Sequence, residues 1–281
     1  MQKKLLAIND ISCVGRCSLT VALPIISAAK IECSILPTAI LSTHTGGFTG
    51  YTFADFTSEM PKIANHWKSL DIKFDSIYTG FLGSIDQVEV VKNIVGMFKE
   101  NNTKLIVDPA MADNGCMYSI FNDEFAMEMK KLCIGADVII PNITEACFLS
   151  GVPYQKGPHS KEYIELLVEK LSSLNIKNLV LTGVAYDDLT LGALAVNYET
   201  KEQYYYKREV INDYFHGTGD CFASAFVASL TNGKDLNEST KLAVDFTVNS
   251  ILQTVKYSNI DKKYGVCFEE ELPSFAQKFS E

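Results

Sequence analysis

The stretch NDYFHGTGDCFASAFVASL, residues 212–230, decides how this chain is read. Two glycines bracket Thr218, a carboxylate follows at Asp220, and small and apolar residues then run on without a break. The run predicts an apolar helix over about 217–231. At its mouth, Gly217, Thr218 and Gly219 can turn backbone N–H groups toward an anion, and the helix start adds partial positive charge. A carboxylate beside a phosphate makes sense if it handles a proton. Asp220 would accept the proton of a substrate hydroxyl while that oxygen attacks a γ-phosphate. The plainer alternative is a helix N-cap or dipole partner.

Upstream, short β-rich runs alternate with helical patterns. KLLAIN (4–9) reads as a buried strand, CSLTVALPIISAAK (17–30) as a helix and ECSILPTAIL (32–41) as a second strand. A helix around 55–69 leads to FDSIYTGF, and another around 86–100 leads to KLIVDPAM. ADVIIPN and NLVLTG supply two more strands. Strands separated by helices of this length imply a parallel sheet covered on both faces. The pattern changes at 190–210, which reads as an antiparallel hairpin turning near Glu199 and Thr200, and helices at about 217–231 and 236–256 follow. With no linker, repeat or low-complexity segment in the sequence, residues 1–281 are read as one domain.

In such a sheet, ligands bind at the carboxyl ends of the strands. The strand endings here are IND, STHTGG, TGF, VDPAMAD, PNITE, LTG and HGTGD, which hold most of the unusual polar residues of the chain. Neither G-x-x-x-x-G-K-[ST] nor an early G-x-G-x-x-G is present, which removes the main support for a P-loop NTPase or an NAD-dependent oxidoreductase. The net charge of −9 argues against nucleic acid or an anionic membrane as partner. Eight dispersed cysteines and four dispersed histidines argue against zinc and against a disulfide framework. With no signal peptide or spanning segment, the reading is a cytoplasmic protein with reduced thiols.

H-G-T-G-D opening a small-residue helix is similar to the closing signature of the ribokinase-like superfamily. Taken with SCVGRCSLTVALPIISA, STHTGGF, VDPAMADNGCMY and PNITEACFLSG, in that order, it resembles the pyridoxal kinase family. The likeness runs from about residue 5 to 255, and the last 25 or so residues add nothing to it. The resemblance implies a three-layer α/β/α fold with a mostly parallel central sheet and an antiparallel hairpin at its edge. It implies an ATP-dependent kinase for the primary alcohol of a vitamin B6 vitamer, working with Mg²⁺ as a homodimer.

Roles then pass to matching positions. Asp220 would be the catalytic base, and Gly217, Thr218 and Gly219 the anion hole. Asn142 and Glu145, in N-x-x-E, match the Mg²⁺–phosphate network; their alternative is a capping box at a helix start. Asp108 and Asp113, in D-P-x-x-x-D, match strand-end aspartates near nucleotide phosphates and metal. A strand-end Asp before Pro is also a common turn starter. Thr182 matches a donor to a nucleotide phosphate, or is a strand residue with a satisfied hydroxyl. For the acceptor, Asp10 would face the polar edge of the ring, Thr45 would lie near the ring with His44 beside it, and Phe81 would stack on it or be ordinary core. Cys116 is read as a plain loop cysteine beside the alternative of a thiol adding to an aldehyde, and Cys221 as packing.

Asp10 departs from the serine common in these kinases and resembles the aspartate of hydroxymethylpyrimidine kinases. That keeps a pyrimidine acceptor as the alternative enzyme. A sugar kinase is weaker, for residues 10–50 leave little room for a lid insertion. A binding protein without turnover would have lost the base or the N-x-x-E pair, and both are present.

Overall fold

The structure is a computed structural model and describes residues 2–211, 213–257 and 261–280. Its strands are β1 (Lys4–Ser12), β2 (Glu32–Leu41), β3 (Phe53–Asp55), β4 (Ser76–Thr79), β5 (Lys104–Val107), β6 (Ala112–Asp113), β7 (Cys116–Met117), β8 (Val138–Ile139), β9 (Asn178–Val184), β10 (Thr190–Asn197) and β11 (Gln203–Glu209). Nine of them form one sheet in the order β11-β10-β9-β8-β5-β4-β1-β2-β3, while β6 and β7 make a separate ribbon. The run from β9 to β2 is parallel; β3 at one edge and the β10–β11 hairpin at the other are antiparallel.

The helices are α1 (Leu19–Ala28), α2 (Met60–Ser69), α3 (Ile85–Phe98), α4 (Asp123–Cys133), α5 (Ile143–Ser150), α6 (Lys161–Leu171), α7 (Thr218–Thr231), α8 (Leu236–Lys256) and α9 (Leu272–Gln277). Successive side chains of a strand point to opposite faces, and β1 shows what this does. Leu6 and Ile8 join the core under α2 to α6, whereas Leu5 and Ala7 join the core under α1, α7 and α8. Both faces are buried, so β1 has no polar alternation and reads as a continuous apolar run. Helix α7 is buried at every residue from Cys221 to Thr231, which is why its sequence has no polar face.

The expected three-layer architecture with a mostly parallel sheet and an edge hairpin is the one observed. Two local expectations need correction. The helix placed at 55–69 starts at Met60, because Phe53–Asp55 is an edge strand pairing with Ala39–Leu41. The ADVIIPN strand has a ladder of only two residues, Val138 and Ile139, although the buried run continues to Ile140.

Candidate active site

The carboxyl ends of β1, β2, β4, β5, β8 and β9 and the start of α7 lie on one rim, and the polar endings of the sequence meet there. Asn9 organises its centre. Its Oδ1 accepts from the N–H of Asp10 and from that of Phe81, both at 2.9 Å. Gly80 makes this possible, for a Cβ there would collide with the Asn9 amide.

Asp220 sits at the third position of α7, and Gly217, at φ +76°, is the N-cap with no side-chain capping bond. The simple N-cap reading of Asp220 is therefore removed. The backbone N–H of Ser18 and the Asn9 side chain instead favour the ionised form of its half-buried carboxylate. Burial pushes its pKa up to about 7, helped by the charge of Asp10 and opposed by those two donors. A carboxylate poised near neutrality suits a general base.

Ser18 serves both acidic groups. The Ser12 hydroxyl donates to the buried Asp10 carboxylate at 3.1 Å, and burial raises the Asp10 pKa against the hydroxyls of Ser18 and Ser12, which lower it. Ser18 stands at φ +60°, a left-handed conformation that costs a non-glycine residue on the order of 1–3 kcal/mol. Gly217 is equally constrained: a Cβ there would collide with the carbonyl oxygen of Arg16. Gly219 is exposed, and a Cβ there would meet nothing within 4 Å.

On the β5–β8 side, Asn142 and Glu145 form the capping box that the sequence left as an alternative. Asn142 Oδ1 accepts from Glu145 N at 2.9 Å, and Glu145 Oε2 from Asn142 N at 2.8 Å. The same pair also holds the β6–β7 ribbon. Asn142 Nδ2 donates to Ala112 O at 2.8 Å, Glu145 Oε1 accepts from Met111 N at 3.1 Å, and Thr144 Oγ1 accepts from Gly115 N at 3.0 Å. Burial raises Glu145 to about 8 against three backbone N–H groups, with Asp113 adding to the rise. Asp108 is raised by burial and then by the charges of Glu145 and Asp220.

The half-buried Asp113 is turned toward Asn114 and lies 3.5 Å from the Tyr214 hydroxyl. Among the described residues, no group of three or more His, Cys, Asp and Glu side chains is placed to hold a metal ion by itself. Thr182 is half-buried, its N–H 3.0 Å and its Oγ1 3.5 Å from Pro141 O, so its hydroxyl is only weakly engaged.

After β2, Thr45 is exposed on the rim and His44 is buried beside it. His44 Nδ1 accepts from Gly46 N at 3.1 Å, which leaves Nε2 to donate to Lys263 O at 2.6 Å. Phe81 is half-buried, its ring tilted against Phe121 at 5.6 Å, so it is neither free nor ordinary core. Cys116 is exposed on the ribbon, and Cys221 is buried inside α7, as packing requires.

Several site residues carried no recognisable signal in the sequence. Asn9 reads as the last residue of an apolar strand, and Ser18 as the start of a helix. Tyr118 and Tyr214 stand among loop aromatics, yet both feel the charge of Asp113, and Tyr118 also feels Glu145, Asp108 and Asp220.

Comparison with known proteins places this geometry. The family model described as phosphomethylpyrimidine kinase matches residues 25–265. A solved structure of a putative phosphomethylpyrimidine kinase from Bacteroides thetaiotaomicron, in a crystal form with pyridoxal, is 34% identical with a TM-score of 0.92, covering 98% of this chain and 96% of that one. Pyridoxal kinase from Lactobacillus plantarum is 28% identical with a TM-score of 0.90, over 99% of this chain and 98% of that one. The pyridoxal kinase of Dictyostelium discoideum is 25% identical over 94% of this chain and 92% of its own. The chain belongs to the phosphomethylpyrimidine kinase family, with pyridoxal kinases as its relatives in sequence and in fold.

Proposed function

We propose that the protein is an ATP-dependent kinase that phosphorylates the 5′-hydroxymethyl group of a vitamin B6 vitamer: pyridoxal, pyridoxamine or pyridoxine. The observation that carries this reading is the half-buried Asp220 carboxylate, held near neutrality at the start of α7 and excused from capping it. Asp220 takes the proton of the acceptor hydroxyl, and the oxygen attacks the γ-phosphorus. The N–H groups of the Gly217–Gly219 turn receive the charge on the transferred group, and the start of a 14-residue helix adds its field. Buried Asp10, with its two serine donors, faces the polar edge of the acceptor ring; Thr45 and Phe81 flank it.

Asp108, Asn142, Glu145 and Thr182 line the nucleotide side. Asp113 and Glu145 would hold a Mg²⁺ ion on the ATP phosphates, mainly through water, and the ion would supply charge neutralisation for the transferred group. The donor set fits: two carboxylates, Asp108 and Glu145, are pushed toward the neutral form by burial and by neighbouring negative charge, which a cation would relieve. We further propose one cytoplasmic kinase domain over residues 1–281, read from a sequence without linkers or spanning segments, acting as the homodimer that the family resemblance implies.

The test is a coupled ADP-release assay across pyridoxal, pyridoxamine, pyridoxine and hydroxymethylpyrimidine. Turnover of a B6 vitamer well above that of hydroxymethylpyrimidine is expected. The reverse order would assign the pyrimidine alternative that Asp10 keeps open, and no turnover with any of them would leave a binding protein.

A further inference from the structure

The eight residues Lys262–Glu269 carry none of the motifs read from the sequence and place no acid, base or phosphate ligand in the cleft, yet they touch three of the loops that form it. Lys263 gives its carbonyl to His44 Nε2 at 2.6 Å, and Tyr264 packs edge-on against Phe48 at 5.2 Å; both partners belong to the acceptor loop after β2. Lys262 pairs with Asp213 in the loop that leads to Gly217. Arg16, between β1 and α1, is gripped three ways. Its N–H donates to Tyr264 O at 2.9 Å, its Nε meets both Glu269 oxygens at 2.7 and 3.0 Å, and Gly265 packs directly on it. The carbonyl of this same Arg16 is the atom against which Gly217 sits. The segment is fixed from behind, for Val266, Cys267 and Phe268 are buried and Cys267 N donates to Thr254 Oγ1 at 2.7 Å.

We propose that Lys262–Glu269 is a positioning element for phosphoryl transfer, and that the Arg16–Glu269 pair, acting through the Arg16 carbonyl, sets the Gly217 turn at the start of α7. The proposal rests on that turn receiving the transferred phosphate. Rotation of the Arg16 backbone would move the Gly217 N–H groups with it, and displacements of about 1 Å at a reacting centre can cost ~10²-fold in rate. The Glu269 side chain is 51% exposed, so loss of its charge should barely affect folding.

The experiment compares Glu269→Gln with the swapped pair Arg16→Glu/Glu269→Arg. Expected for Glu269→Gln is a kcat lower by about tenfold at saturating ATP and vitamer, with a Tm within about 4 °C of wild type. The swap should restore most of kcat. Hydrogen exchange over residues 213–222 reads the same positioning without turnover: it should be faster in Glu269→Gln and close to wild type in the swapped pair. Unchanged exchange in Glu269→Gln, or unchanged kcat in an active enzyme, overturns the proposal. So does a loss that tracks a large fall in Tm and is not restored by the swap. A wild type that turns over no vitamer defeats the kinase reading instead, and the exchange measurement still decides the positioning role.

Discussion

The backbone N–H of Ser18, held at φ +60°, favours the ionised carboxylate of Asp220. The strain sits at the N-cap of α1, where the Ser18 side chain makes no capping bond. Asp220→Asn keeps an acceptor oxygen for that N–H and removes the basicity. A kcat lower by about 10²–10⁴-fold is expected, with a Tm at pH 8 that is unchanged or higher, since a buried charge is gone. Near-normal turnover in this variant would remove the base.

The pH dependence has a definite sign. Asp220 must be ionised to accept a proton and titrates at about 7, so kcat/KM for the vitamer should fall as pH drops through 7. An acid limb near the ordinary carboxylate value would show that burial does not tune this group.

Stability of the unliganded protein should run the other way. Glu145 is raised from 4.5 to about 8, so between these values the folded state binds more protons than the unfolded one. The contribution of Glu145 to stability is then full below about pH 4.5 and is lost as pH rises through 8. The Glu145→Gln variant should flatten this slope in thermal melts from pH 5 to 8 and raise the Mg²⁺ concentration needed for half-maximal rate. An unaltered metal requirement would leave Glu145 as a helix cap alone.

The two glycines of the turn should respond differently. Gly217→Ala meets both a positive φ and the Arg16 carbonyl, and should lower Tm together with activity. Gly219→Ala has open space and should fold normally, yet its Cβ would stand where the phosphate is proposed to bind, so KM for ATP should rise. Equal melting losses in both would mean that Gly219 is structural too.

Tyr78 is fully buried with no partner for its hydroxyl among the described residues. Removing a buried group that makes no hydrogen bond relieves a desolvation cost of about 1–3 kcal/mol. Tyr78→Phe should therefore melt at the same temperature or higher, and a clear loss of Tm would reveal a partner.

The sequence carried the layout further than the details. β2 is legible to its ends, Glu32–Leu41, although only Leu36, Thr38, Ala39 and Leu41 of it are buried, because its β-rich stretch stands between a helical pattern and the glycine-rich STHTGG. The strand endings also named most of the cleft. The ribbon of Ala112–Asp113 and Cys116–Met117 was hidden, since strands of two residues have no period to detect. Which residue caps α7 depends on the backbone at Gly217, and Asp220 looked like a cap because residue type alone cannot report φ. The segment 262–269 left no motif because its contacts to His44 and to the Arg16 backbone are made by the carbonyls of Lys263 and Tyr264, which any side chain permits.

The Asn142–Glu145 turn and the ribbon that hangs from it share one set of hydrogen bonds. Met111, Ala112 and Gly115 are held by Glu145, Asn142 and Thr144, in that order. The helix start and the ribbon are thus a single unit of inheritance. In a chimera of two relatives, residues 108–118 and 141–145 must come from the same parent, because a ribbon moved alone would bring its exposed Cys116 without the shelf that fixes its height above the cleft.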